Sequence, residues 1–249
     1  MSINYKLVID DLRTQLGDHP VTDDPVRRFA WSTDASYFRI VPEVVVHAET
    51  LEQVKLTLAV ARKHDAPVTF RAAGTSLSGQ AIGEGILLIL GHDGFRKIEV
   101  SSDAKQITLG AAVIGSDANA VLAPLNRKIG PDPATIGSAK IGGIVANNAS
   151  GMCCGTAQNS YQTIASAKLL FADGTELDTG CEKSKAAFVK SHGKILDALT
   201  ELSHMTRHNT VLADRIRKKY SIKNTTGYGI NSLLDFTDPF DIINHLMVG

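Results

Sequence analysis

Between Thr69 and Leu90 the chain reads TFRAAGTSLSGQAIGEGILLIL. Strand-like PVTF leads in and strand-like ILLIL leads out, so the stretch AAGTSLSG must connect two strands. Seven of its eight residues are small, whereas a plain tight turn needs about one or two. A loop without bulk lets successive backbone N–H groups converge on an anion. Gly74 and Gly79 have the separation of a P-loop, but Gln80-Ala81 stands where the phosphate-binding Lys and the metal-binding hydroxyl belong. No later apolar strand ends in a clear metal-binding Asp, which argues against a nucleoside triphosphatase. The absence of G-x-G-x-x-G weakens a Rossmann reading in the same way.

A second loop, IGPDPATIGSAKIGGIVANNASG, repeats the theme. Pro131 and Pro133 stiffen it, and Gly137, Gly142 and Gly143 allow close backbone approach. GGIVANNAS reads as a short helix with the glycine pair at its N-terminus, where phosphate is favoured. Two phosphate-seeking loops suit a pyrophosphate gripped from both sides. On composition alone, two ordinary structural turns remain the alternative.

The surrounding pattern is α/β. Residues 3–16 read as an amphipathic helix. VVVHAET (44–50) is a strand, and Thr50-Leu-Glu-Gln53 is a capping box ahead of Leu51, Val54, Leu58 and Ala61 at helical spacing. Gln106–Ile114 reads as a strand entering the helix GSDANAVLAPLNRK, with Ser116 as its N-cap. TIASAKLLFADGTELDT reads as two strands joined at Asp173-Gly174. Residues 184–219 are helical with a break near Gly193. Asp238 caps a last helix with Pro239 at N1 and Gly249 as its C′ residue. Nothing follows that cap, as expected of a piece of a longer protein.

The chain has 249 residues, and Lys+Arg and Asp+Glu each number 26, so no basic field is available for nucleic acid. No apolar run reaches the roughly 18 residues of a membrane span. The N-terminus resembles neither a signal nor a transit peptide. Three cysteines, two of them adjacent, suggest a reducing compartment and no disulfide framework. The expected location is cytoplasmic, with peripheral attachment to the inner face of the membrane as a variant.

FRAAGTSLSGQAI, the second loop through GMCCGTAQN, ADGTELDTG and KNTTGYGIN together resemble the FAD-binding domain of the vanillyl-alcohol oxidase / p-cresol methylhydroxylase (VAO/PCMH) superfamily. The likeness runs from about Trp31 to the last residue. Within the superfamily, TDASYFRIVPEVVV and NNASGMCCGTAQNSYQT are most similar to FAD-linked D-lactate and related D-2-hydroxyacid dehydrogenases of the iron–sulfur-containing bacterial branch. The resemblance implies an α+β fold of two α/β subdomains with FAD extended between them. It divides the chain into an N-terminal helical segment, 1–36, and a PCMH-type FAD-binding domain, 37–249, that stops before its last strand and the substrate cap domain.

The resemblance also implies the cofactor contacts. Arg71 opens the first loop, and backbone groups of Ala72, Ala73, Gly74, Thr75 and Ser76 would hold the diphosphate, with Leu77 and Gln80 towards the flavin. Pro131, Ala134, Thr135, Ile136, Gly137, Gly142 and Gly143 would touch the pyrophosphate and ring. Asn147, Asn148, Ser150 and Gly151 would continue the pocket, and Pro42 and Ile164 would approach the adenosine end. Some relatives attach FAD covalently through a His in the first loop or a Cys in the second. Here Thr75 takes the His position and GPDPATIG has no Cys, so FAD is expected to be non-covalent.

Catalytic groups, any metal ligands and the iron–sulfur cluster are expected beyond Gly249. The 249 residues alone are then expected to bind FAD weakly or not at all and to be inactive. The implied reaction moves a hydride from a small D-2-hydroxy acid, D-lactate first, to the flavin, and electrons pass on to a quinone, cytochrome or other carrier. A glycolate or D-2-hydroxyglutarate dehydrogenase, or a non-catalytic flavin-binding electron relay, are the rivals.

Four other features were weighed. His204 and His208 stand four apart on a helix, where a solvated face outweighs a metal site. Cys153-Cys154 lacks C-x-x-C spacing, and packing near the flavin is the default. RIRKKY reads as a solvated helix end. KNTTGYG, with Lys223, Asn224, Thr225 and Tyr228, is equally a loop facing flavin and substrate or a neutral connector.

Overall fold

The computed structural model describes residues 3–91, 93–224 and 227–249. The chain forms two compact units. The first holds residues 1–128, 135–143 and 172–174, and the second holds 129–134, 144–171 and 175–249.

The first unit begins with α1 (Tyr5–Leu16), β1 (Val21–Thr22) and α2 (Pro25–Ala30). Next come β2 (Val44–Ala48), α3 (Leu51–Lys63), β3 (Val68–Arg71) and β4 (Ile86–Leu90). A sheet of order β1-β2-β4-β3 results, with β2 and β3 both parallel to β4 and β1 antiparallel to β2. β2 and β4 are the central strands, and Val44, Val45, Val46 and Ile86 to Ile89 are all buried. Unbroken apolar runs, rather than alternation, are what central parallel strands require. α3 starts at the expected capping box: Gln53 N donates to Thr50 Oγ1 at 3.2 Å and Thr50 N donates to Gln53 Oε1 at 3.3 Å. α1 lies against α3 and buries Val8 and Leu12.

The antiparallel pair β5 (Ile98–Val100) and β6 (Ile107–Leu109) leads to α4 (Gly115–Leu122). Three expectations fail here. The strand covers only Ile107–Leu109, and Ser116 is not the N-cap of α4, whose cap is Ile114 with no side-chain bond. Tertiary carbonyls take the first amides instead: Gly115 N donates to Ala139 O and Ser116 N to Ile136 O, each at 3.0 Å. The helix also stops short of Lys128. Pro124 lies in a 3₁₀ turn at Ala123–Leu125, and Asn126 follows at φ 53°.

The chain passes into the second unit within α5 (Ile141–Ala146), followed by α6 (Ser160–Thr163), β7 (Lys168–Leu170) and β8 (Glu176–Asp178). β7 and β8 form the expected antiparallel pair, with Gly174 at φ +91°. The long helical region becomes α7 (Glu182–His208), broken at His192, and α8 (Thr210–Tyr220), capped by Asn209. α9 (Ser232–Asp235) and α10 (Pro239–Leu246) close the chain. Leu177, Phe188, Leu196 and Ile243 form the buried core here. Asp238 caps α10 as expected, but Gly249 is not its C′ residue. The helix ends on right-handed Met247, and Gly249 N donates to Ala146 O at 3.2 Å.

Candidate functional site

In the first unit the glycine loop leaves β3 at Arg71. Gly74 lies at φ +72° and Gly79 at φ +74°, a left-handed conformation that costs L-residues energy and glycine almost none. Among the described residues, the backbone N–H groups of Ala73, Gly74, Thr75 and Ser76 donate to no protein acceptor. These residues are half-exposed, so their amides are open to an external acceptor. A run of free amides containing a left-handed residue is the backbone arrangement of an anion nest.

The ends of this loop are pinned. Gly74 O accepts from Ala35 N at 3.0 Å, and Ala81 N donates to Asp34 Oδ2 at 3.4 Å. Ser76 Oγ donates to Gln80 Oε1 at 2.9 Å and accepts from Ser78 N at 3.2 Å. Leu77 and Gln80 are exposed.

The Arg71 side chain is committed to carbonyls of the fold. Its Nη1 donates to Thr33 O at 2.9 Å and Ala81 O at 3.2 Å, and its guanidinium lies 5.2 Å from the Trp31 ring centre. The residue is 9% exposed, and its buried Nε has no partner. Burial lowers its pKa, with Asp34 opposing. A Cβ on Gly74 would come 2.3 Å from Arg71 Nη2, so Gly74 is needed for its neighbour as well as for its own φ.

The second loop divides between the units. In the first unit, Thr135 O accepts from Ser138 N and Ala139 N at 2.8 and 2.7 Å, and Ile136 O is held by the start of α4. Gly143 packs beside the first loop: its Cβ would stand 3.2 Å from that of Ala72. The two glycine stretches are therefore neighbours, as a shared anion requires. Gly142 faces Ala111 at the same distance, so its missing side chain serves packing, whereas a Cβ on Gly137 would meet nothing within 4 Å. Pro42 is buried in this unit, and its carbonyl accepts from Arg28 Nε at 2.6 Å.

In the second unit Pro131 and Pro133 are buried and Ala134 is exposed. Asp132 Oδ1 accepts from Cys154 N at 3.3 Å. A Cβ on Gly151 would lie 1.9 Å from Asp132 O, so this glycine is fixed by the backbone opposite. The turn Asn147–Gly151 carries left-handed Asn148 (φ 42°), whose Oδ1 accepts from Tyr161 N at 3.1 Å. Ser150 is buried and its Oγ has no partner. Ile164 caps α6, its N–H donating to Ser160 O at 2.9 Å.

Sequence reasoning passed over the Tyr161–Asp235–Asn231 cluster: Tyr161 Oη donates to Asp235 Oδ2 at 2.7 Å and Asn231 Nδ2 donates to the same oxygen at 3.0 Å. The KNTTGYG stretch meets this unit through Lys223, whose Nζ donates to Ser150 O. Thr225 lies outside the described residues. Cys154 is buried, with Sγ near the carbonyls of Gly151 and Gly155, while Cys153 is exposed. The His204 and His208 rings stand 3.9 Å apart. Among the described residues no cluster of three or more His, Cys, Asp or Glu is placed to hold a metal. No described helix is long and apolar enough to cross a membrane.

Fold and loops together define an α+β flavin-binding domain of the VAO/PCMH type. Solved structures with this fold include alkyldihydroxyacetonephosphate synthase (TM-score 0.58, 16% identity, 74% of this chain and 38% of that one). Substrate-bound p-cresol methylhydroxylase is another (TM-score 0.57, 16% identity, 73% and 37%). The chain belongs to the family described as FAD binding domain, whose model matches residues 42–180. Among curated proteins it is similar to the glycolate oxidase subunit GlcD of Escherichia coli, 31% identical over 59% of this chain and 30% of that protein. It is also similar to D-2-hydroxyglutarate dehydrogenase of Escherichia coli (27%, covering 61% and 15%) and D-lactate dehydrogenase of Archaeoglobus fulgidus (29%, covering 55% and 31%). The chain thus aligns with less than a third of each of these relatives. Its residues fit the cofactor of the family: the free amides around Gly74 and the close approach of Gly143 to Ala72 form a small cradle that added side chains would disturb.

Proposed function

We propose that this chain is the flavin-holding part of a dehydrogenase that oxidises a D-2-hydroxy acid, D-lactate foremost, to the 2-oxo acid. The observation that carries the proposal is the run of unpaired amides at Ala73–Ser76 around left-handed Gly74. Bound FAD supplies the hydride acceptor such a reaction needs.

The chain itself supplies binding and orientation. Amides of the first loop would donate to the diphosphate without a lysine, several weak donors standing in for one cation. Gly143 admits Ala72 to the rear of that loop. The turn at Asn147–Gly151 belongs to the second unit, and the resemblance alone assigns it, with its buried Ser150 hydroxyl, to the flavin. Thr75 offers a hydroxyl where a linking histidine would stand, so attachment is non-covalent.

Substrate positioning and proton removal require a carboxylate clamp and a base within hydrogen-bond reach. We assign those to polypeptide of the kind that makes up the rest of the longer relatives, together with the route to an electron carrier. Glycolate is the second substrate reading, favoured by the 31% identity to the glycolate oxidase subunit.

The test is anaerobic mixing of the flavin-loaded protein, joined to its substrate domain, with a panel of D-lactate, L-lactate, glycolate and D-2-hydroxyglutarate. Bleaching of the flavin by D-lactate first is expected. Bleaching by none of the panel would overturn the hydroxy-acid reading.

A further inference from the structure

We infer that Lys223 is a positioning residue that latches the Asn147–Gly151 turn, and that this contact sets how firmly the turn serves a flavin. The second half of the inference rests on the function proposed above. The first half stands on geometry alone.

Lys223 Nζ donates to the carbonyl of Ser150, 73 positions away in sequence. That carbonyl belongs to the Asn147–Gly151 turn, and the neighbouring restraints act on its flanks. Asn148 is a non-glycine residue in the left-handed region at φ 42°, a conformation that persists only when its surroundings fix it. Ser150 is 7% exposed and its hydroxyl has no partner. Three restraints act on the N-terminal side: Asn148 Oδ1 accepts from Tyr161 N, Asn148 N donates to Val145 O at 3.0 Å, and Ala149 N donates to Ile144 O at 2.8 Å. On the C-terminal side Gly151 is wedged against Asp132 O. Between them, the lysine holds the Ser150 peptide.

Lys223 and Ser150 also line a small cavity of about 40 Å³ with Asn148, Asn159, Tyr161 and Asn231. Asn231 brings a second unpartnered buried atom there, Oδ1, while its Nδ2 is committed to Asp235. The ammonium is the only cationic group among the residues lining this otherwise neutral polar cavity. A charged donor on a carbonyl orients that peptide more strongly than a neutral one. The charge therefore both fixes the Ser150 peptide and places a positive potential behind the turn. The stretch around KNTTGYG is thus neither a bare connector nor required to face substrate: through Lys223 it acts on the turn.

The experiment compares the 249-residue wild type with K223M and K223R. Amide hydrogen exchange without flavin reads the latch directly. K223M should speed exchange at Ala149–Gly151, with the core strands unchanged, and K223R should restore most of the protection. FAD titration, followed by flavin fluorescence, should show affinity about tenfold weaker in K223M, the weight of one hydrogen bond to a charged donor. The bound flavin should also show a shifted absorption band.

Exchange in K223M equal to wild type would overturn the latch. Faster exchange with unchanged FAD affinity and spectrum would overturn its connection to the flavin. A wild type that binds no FAD would refute the flavin reading and with it that connection, while exchange still decides the latch.

Discussion

Gly74 and Arg71 form a pair whose coupling can be measured. Replacing Gly74 with Ala puts a side chain at φ +72° and a Cβ 2.3 Å from Arg71 Nη2 and 2.7 Å from Cζ. The left-handed conformation costs an L-residue about 1–2 kcal/mol. The clash is with the end of a long side chain, but that end is anchored by bonds to Thr33 O and Ala81 O and by the Trp31 ring. Moving it forfeits at least one buried hydrogen bond to a charged group, about 1.5–3 kcal/mol. Gly74→Ala should therefore cost about 2.5–5 kcal/mol in all. In an Arg71→Met background the clash is gone and only the φ cost of about 1–2 kcal/mol remains. The double-mutant cycle should return a coupling of about 2 kcal/mol or more. Urea unfolding followed by Trp31, the single tryptophan and itself in contact with Arg71, is the natural assay. Additive effects, with coupling below about 0.5 kcal/mol, would show that the guanidinium does not occupy the space beneath Gly74. Because the added Cβ meets an anchored guanidinium, a bulkier residue at Gly74 should harm both flavin binding and stability.

Gly143→Val should weaken FAD binding with a smaller drop in urea midpoint than Gly74→Ala, because its Cβ meets only the Ala72 methyl at 3.2 Å; an unchanged flavin affinity would mark the second loop as an ordinary turn. Acid precipitation of flavin-loaded protein should release all yellow colour, and colour retained in the pellet would contradict non-covalent attachment at a loop with Thr75 in the linking position. D-Lactate should leave flavin on the 249 residues oxidised under anaerobic conditions, and bleaching would place catalytic groups within this chain. Burial and then the Asp235 hydrogen bond raise the Tyr161 phenol well above its ordinary 10.0. A raised folded pKa means full stabilisation below pH 10 and loss above it, as the unfolded chain ionises first. Stability should therefore fall more steeply above about pH 10 in wild type than in Tyr161→Phe, and equal slopes would refute the burial of that hydroxyl.

What the sequence made legible follows from where each signal lies. The Thr50–Gln53 capping box, Asp238-Pro239 and Asp173-Gly174 are local demands of the backbone, and each is found where its residues stand. α2 was readable by the same rule, since Asp24 caps it and Pro25 is its first residue. Ser116 misled because its helix draws its first acceptors from Ile136 and Ala139, carbonyls some twenty residues on. β5 is three residues long and exists through its pairing with β6, so periodicity has almost nothing to register.

The site divides in the same way. Small residues at 72–79 announce a loop without bulk, and Gly74 takes a positive φ. Which glycines serve a ligand and which serve the protein is a matter of through-space neighbours. Gly142 and Gly151 face Ala111 and Asp132, and only coordinates reveal that. The inward turn of Arg71 and the reach of Lys223 to Ser150 are long-range contacts that no spacing encodes.

The most direct test of a diphosphate-holding glycine loop is equilibrium titration of the 249-residue chain with FAD, riboflavin and ADP. FAD and riboflavin share the ring, and only FAD and ADP carry the diphosphate. The account predicts weak but saturable FAD binding, displacement of FAD by ADP, and riboflavin binding too weak to saturate, with ADP displacement lost in a Gly74 variant that still folds. Riboflavin binding as firm as FAD, or FAD binding indifferent to ADP, would contradict it.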